Sequence, residues 1–163
     1  MPKTTQKTVL DRIDRRILEH LQDDGRLSNQ ELAARVALSP SPCLRRVRAL
    51  ERAGVIRRYA ALLEPLQVGL GLLAYVTVKL EKRGKMPVDQ FTRAVQSWPE
   101  VIACFSMTGD MDYLMRVQVE DLEHYSRFVM DKLLKQPGVI DIRTNFVLER
   151  IKETTALPLE HLA

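Results

Sequence analysis

Cysteine, histidine and long apolar runs are scarce or absent in this 163-residue chain. Its two cysteines, Cys43 and Cys104, show no CxxC spacing, which argues against a disulfide scaffold and a zinc finger. His20, His124 and His161 are scattered with no partner at metal spacing, so neither a metal nor another cofactor is implied. No run of 18 apolar residues occurs, so no transmembrane helix is expected. Residues 1–7 lack the apolar core of a signal peptide, and a reducing cytoplasm is the expected compartment. Disorder is not expected of a chain that is 45% hydrophobic, with apolar residues spread along its whole length. What remains is a globular protein of one ordinary domain or two small ones.

Charge divides the chain. Residues 1–63 carry a net +6 and residues 64–163 a net −2. A basic module joined to a near-neutral one suggests that the first meets a polyanion and the second does something else.

The basic part reads as three helices with short connections. Ile13, Ile17 and Leu21 recur every four residues between an Asp11 cap and a Gly25 stop. Ser28 and Glu31 have the spacing of a capping box, with Leu27 and Leu32 as a hydrophobic staple. After the turn Ala37-Leu38-Ser39, Ser39 is expected to cap a third helix that has Pro40 at its first position and Gly54 as its stop. On a helical wheel with Leu44 as reference, Cys43, Val47 and Leu50 form one apolar stripe. Ser41, Arg45, Arg48 and Arg52 gather nearly opposite, within an arc of about 60°. A helix fits the major groove of B-DNA, and guanidiniums in a row can bond to guanine edges or phosphates. The alternative is a merely solvated face. Residues 55–62 are rich in strand formers and would make a basic wing, with Arg57 and Arg58 on backbone phosphates or simply on a solvated hairpin. Ser28, Asn29 and Ser39 at the helix starts complete the candidate DNA contacts, beside Ser41, Arg45, Arg48, Arg52, Arg57 and Arg58. Cys43 lies near a helix N-terminus, which lowers a thiol pKa, but also on the apolar stripe, which makes it core.

Residues 64–71 read as a linker whose Pro65, Gly69 and Gly71 interrupt regular structure. Gly69-Leu70-Gly71 is no nucleotide fingerprint, since it leads into a strand and lacks the third glycine. Alternation over 72–80 predicts a strand, and Val88, Phe91, Val95 and Trp98 mark a helix face ended by Pro99. Strands over 101–107 and 113–119 flank the turn Thr108-Gly109-Asp110-Met111-Asp112. Leu122, Tyr125, Val129 and Leu133 mark a second helix, and Pro137-Gly138 leads into a last strand over 139–148. This βαββαβ order gives a four-stranded antiparallel sheet with both helices on one face. The last strand is apolar at Ile140, Ile142, Phe146 and Leu148 on one side and at Val139 and Val147 on the other, which predicts burial of the bare face in a homodimer. Asp110 and Asp112, with the backbone at Gly109, either make the hairpin or accept an amino-acid ammonium. Phe105 and Phe146 either line such a pocket or pack the core.

Leu10-Asp11-Arg12-Ile13-Asp14-Arg15-Arg16-Ile17-Leu18, Gly25-Arg26-Leu27-Ser28 and Leu38-Ser39-Pro40-Ser41-Pro42-Cys43-Leu44-Arg45-Arg46-Val47 resemble the leucine-responsive regulatory protein / AsnC (Lrp/AsnC) family of transcription factors. Thr108-Gly109-Asp110-Met111-Asp112-Tyr113-Leu114 and Pro137-Gly138-Val139 resemble its regulatory domain, and the likeness spans about residues 9–155. The resemblance implies an α+β chain with a winged helix–turn–helix at 8–63, a linker at 64–71 and a ferredoxin-like ligand-binding (RAM) domain at 72–155, followed by a tail at 156–163. It further implies homodimers assembling into octamers and an amino-acid effector, leucine, methionine or another apolar one, bound between regulatory domains. Thr108, Gly109, Asp110 and Asp112, with Phe105 and Phe146, are then the candidate ligand residues. Two other readings stand beside this one. One is an architectural DNA protein with no effector. The other is an enzyme like the sirohaem decarboxylases that share the fold, which needs catalytic histidines where only His124 lies in the ligand domain.

Overall fold

Asp11 starts the first helix with both oxygens engaged. In the computed structural model, which describes residues 9–81 and 86–162, its Oδ1 accepts from the amides of Ile13 and Asp14 at 2.9 and 2.8 Å. Asp14 reciprocates through Oδ2, accepting the Asp11 amide at 3.3 Å, so a capping box launches α1 (Arg12–Asp23). The expected boundary at residue 8, like residues 1–7, lies outside the described residues.

Ser28 and Glu31 form the expected capping box of α2 (Asn29–Arg35). The chain then turns through Ala37, whose φ of 57° is left-handed, into α3 (Pro40–Arg52). Ser39 stands at the cap position of α3 but makes no capping bond with its side chain. Pro42 at the third helical position removes one of the two amides such a cap addresses. Ile17, Leu18, Leu32, Ala33, Val36, Cys43 and Leu50 are buried together, with Leu27 and Val47 packed against them. Cys43 is fully buried and burial pushes its thiol pKa up, so it is core.

No strand forms over residues 55–62. A lone strand has no ladder partner in its own chain here, and Tyr59 is instead drawn back to α3 by a 3.1 Å bond to Glu51. Residues 152–162 belong to this same helical unit. Leu159 packs on its core, the Gln22 side-chain amide exchanges bonds of 3.1 and 2.7 Å with the backbone of Leu157, and Arg15 donates to the Leu162 carbonyl at 3.3 Å.

The second unit spans residues 63–151. Its entry segment contains one 3₁₀ turn, Pro65–Val68, closed by left-handed Gly69, where the sequence predicts no regular element. The elements are β1 (Leu72–Leu80), α4 (Met86–Ser97), β2 (Val101–Ser106), β3 (Tyr113–Val119), α5 (Leu122–Phe128) continuing as a π-turn through Leu133, and β4 (Val139–Phe146). All pairings are antiparallel, in the order β2-β3-β1-β4. Ala74, Val76, Val78 and Leu80 alternate inward with Tyr113, Met115, Val117 and Val119, and pack on Phe91, Val95 and Trp98 at α4 and Tyr125, Phe128 and Leu133 beyond it. Burying each of the larger side chains contributes about 1.5–3 kcal/mol. Val88 and Leu122, expected on the packed helix faces, are exposed, and Phe128 takes the place anticipated for Leu122.

The pattern of β4 differs from the expectation. A bulge opposite Lys79 and Leu80 lets both Val139 and Ile142 pack on the core, while Ile140 is exposed and Leu148 lies past the strand. On the bare face β4 offers Asp141, Arg143 and Asn145, register partners of Lys79, Thr77 and Tyr75. The apolar part of that face comes instead from Leu73, Tyr75, Leu114 and Phe105.

Glu100, before β2, is a buried acid. Burial works to raise its pKa, but the 2.6 Å bond from Lys132 Nζ and its own backbone amide outweigh this and hold the carboxyl below the usual range. Its charge therefore adds stability that is complete above the ordinary glutamate range and lost as pH falls through the lowered value. Glu100→Gln is expected to cost about 1–3 kcal/mol at neutral pH. In acid the deficit should shrink, measured by urea unfolding at stepped pH; a deficit independent of pH would refute the assignment.

Candidate nucleic-acid interface and ligand cleft

The presentation of α3 depends on what holds its inner side. Leu38 N donates to Ala33 O at 2.9 Å across the turn, and the Asn29 side-chain amide donates to Pro40 O at 2.8 Å. The second bond ties the start of α3 to α2. Arg46, on the same helix, turns away from solvent toward α1. Its Nη1 lies 2.8 Å from both Asp11 Oδ2 and Asp14 Oδ1. Each carboxylate thus caps α1 with one oxygen and holds α3 with the other. The Asp14 amide chiefly, opposed by partial burial and aided by Arg46, lowers the pKa of Asp11.

With Arg46 engaged, Ser41, Arg45, Arg48 and Arg52 line the far side, and with Leu44 they enclose a shallow depression of about 240 Å³. No acid pairs with those three arginines among the described residues, and Glu51, the acid of this helix, is occupied by Tyr59. Thirteen residues make α3 about 20 Å long, and a helix of ordinary girth enters the major groove. Arg57 and Arg58 are exposed on irregular backbone. Ser28 and Asn29 are engaged in the cap and in the bond to Pro40, whereas Ser39 keeps its hydroxyl free of a cap. Arg46 is the residue that sequence reasoning passed over. Its place on the helical wheel was the available signal, since it lies beside the apolar stripe and apart from the other guanidiniums.

In the other unit, the hairpin after β2 is fixed by Met107 N to Asp112 O at 2.8 Å and Asp112 N to Val78 O at 3.0 Å. Asp112 Oδ2 also accepts the Leu80 amide at 2.8 Å, and Gly109 takes a φ of 113°. A cleft of about 270 Å³ opens beside it, lined by Leu80, Glu81, Val88, Ser106, Met107, Asp112 and Tyr113. Apolar walls and carboxylate acceptors together suit a small zwitterion with an apolar side chain. Thr108, Gly109 and Asp110 are exposed on the adjoining turn. Phe105 and Phe146 are not brought together. Phe105 pairs with Leu114 on the bare sheet face, while Phe146 packs edge-on to Tyr125 on the helix side, centroids 5.1 Å apart. Of the cleft residues only Asp112 is a candidate from sequence; Leu80, Glu81 and Val88 come from distant positions, while Ser106, Met107 and Tyr113 flank the turn itself.

Comparison with known proteins agrees with this division of the chain. Residues 10–57 match the family model described as winged helix-turn-helix DNA-binding, and residues 73–157 that of the Lrp/AsnC ligand binding domain. The leucine-responsive regulatory proteins of Escherichia coli and Salmonella typhimurium are each 46% identical over 151 residues, covering 93% of this chain and 92% of theirs. A transcriptional regulator of Neisseria meningitidis, solved in complex with L-methionine, is 51% identical with a TM-score of 0.92, covering 94% of this chain and 99% of that one. An AsnC family transcriptional regulator of Agrobacterium tumefaciens is 38% identical with a TM-score of 0.89, covering 94% of this chain and 100% of its own. These relatives are regulators and not enzymes, which sets aside the decarboxylase reading.

Two kinds of substitution test the interface. Arg46→Met is expected to lower the stability of the helical unit by about 1 kcal/mol, solvent screening of half-exposed Asp11 included, as read by thermal melting. Arg45→Ala or Arg48→Ala should leave melting unchanged and weaken operator binding by about 1–3 kcal/mol in gel shift. Unaltered footprints in both arginine variants would remove α3 from the DNA.

Proposed function

The chain belongs to the Lrp/AsnC family of transcriptional regulators, and from that premise we propose that α3 reads operator DNA while the cleft beside Asp112 receives an apolar amino acid. The observation that carries the first half is the row of three arginines without acidic partners, among the described residues, on the helix after the turn. Ser41 and Ser39 flank that row, Arg57 and Arg58 extend it toward phosphates, and Ser28 and Asn29 contribute from the start of α2.

Methionine or leucine is the proposed effector class. The Neisserial regulator was solved with L-methionine, and the curated relatives are named for leucine. The chemistry of the cleft supports the same class, with Leu80, Val88 and Met107 as apolar walls and Asp112 and Glu81 as acceptors for an ammonium. Thr108, Gly109 and Asp110 border the cleft as its outer turn, and Phe105 belongs to this site only if a second copy closes over the bare sheet. Phe146 is a packing residue of the helix side in this reading.

A homodimer through the bare face, assembling further to an octamer, is the proposed working form in the cytoplasm. Phe105 is 55% exposed and Tyr75 37%, with Leu114 beside them, so that face retains apolar area for a second copy to cover. No helix among the described residues is long and apolar enough to cross a membrane. A dimer presents two copies of α3 to two half-sites. The effector then acts by binding one quaternary state more tightly than another.

Titration calorimetry of the full chain with L-methionine and L-leucine, paired with sedimentation, is the test. Saturable heat and a shift in assembly mass are expected for at least one of them. Silence for every apolar amino acid, with operator binding intact, would favour the architectural protein without an effector.

A further inference from the structure

Among the arginines on the outer face of α3 sits a residue of the wrong polarity for water. Leu44 is 37% exposed, and the side chains that share its depression are Ser41, Arg45, Arg48 and Arg52. Ser41 and Arg48 lie three residues before it and four after, so Leu44 borders the row on the side nearest the apolar stripe and shares its depression. The core has no use for it, since Cys43 and Leu50 are buried beneath α3 and Val47 packs against the same cluster. The apolar stripe read from the sequence thus stops short of Leu44. Apolar area left in water at this place adds no stability to the free protein.

We infer that Leu44 is a specificity-determining residue that reads the C5-methyl of a thymine in each half-site. The major groove offers donors and acceptors on every base pair, but the thymine methyl is its one apolar feature. The guanidiniums beside Leu44 supply hydrogen bonds to guanine or phosphate, and neither they nor Ser41 gains from a methyl. A leucine set at their edge converts a row of general affinity for polyanions into one that distinguishes thymine from cytosine at the position it faces. This inference rests on the reading that α3 enters the major groove, and extends it to one base.

The experiment selects the preferred operator of the full chain from random duplexes, then replaces each half-site thymine in turn with deoxyuracil, which removes the methyl and keeps the pairing. One position per half-site should lose affinity by about three- to fourfold for each methyl removed, the effect of withdrawing one buried carbon. Leu44→Ala should bind the thymine and deoxyuracil operators alike at that position, while Leu44→Met, which retains an apolar reach, should restore the difference. If selection yields a clear operator and no thymine shows this dependence, or if Leu44→Ala keeps it, the inference fails while α3 remains the reading helix. If selection yields no sequence preference, the reading of α3 itself falls, and this inference with it.

Discussion

One guanidinium shared between two carboxylates sets the geometry in which α3 is presented. Arg46 reaches from α3 to Asp11 and Asp14 at 2.8 Å each, and those same acids cap α1 through their other oxygens. The start of α1 and the middle of α3 are therefore fixed in one hydrogen-bonded unit. Individual surface ion pairs contribute little, but this one joins charge to the capping bonds in a network. Because Arg46 is drawn inward, its neighbours Arg45 and Arg48 are left on the opposite side, clear of any protein acid among the described residues. Two opposite roles for one residue type, in a run of four positions, follow from helical period alone.

Much of this is legible in the order of the amino acids. The capping boxes at Asp11 and Ser28 are local, their donors and acceptors three residues apart, and a sequence shows them directly. The apolar stripe of Cys43, Val47 and Leu50 and the alternation of β1 are equally local. What escapes is non-local. The partners of Arg46 lie 32 and 35 residues away, and the cleft gathers residues from four elements. Bulges at Ile102 and near Ile140 shift a strand by one residue, which reverses the face of every side chain beyond, and no pattern in β4 announces it. Pro42, three residues after Ser39, takes away one of the two amides that an apt cap by type addresses, and Ser39 makes no cap bond.

The two units divide physical labour differently. The helical one keeps the guanidiniums of its outer row free of acids, among the described residues, and so favours a polyanion over solvent ions. The sheet unit is held by an aromatic and aliphatic core and keeps its hairpin rigid through Asp112, which bonds back to β1. In the proposed ligand role, a carboxylate fixed in this way would need no prior ordering, which lowers the entropic cost of binding. The exposed Phe105 and Tyr75 on the bare sheet stand apart from this cleft and suit protein contact instead.

The return of residues 152–162 to α1 has a consequence for biosynthesis. The helical unit is drawn from both flanks of the sheet unit, so its core is sealed by Leu159 only after the whole span 63–151 has been made. At about 5–20 residues per second, that is a delay of about 5–20 seconds on the ribosome. During it the three helices stand without their seal, and the nascent chain gains its finished DNA-binding core last, once the sheet that senses the effector has already been translated.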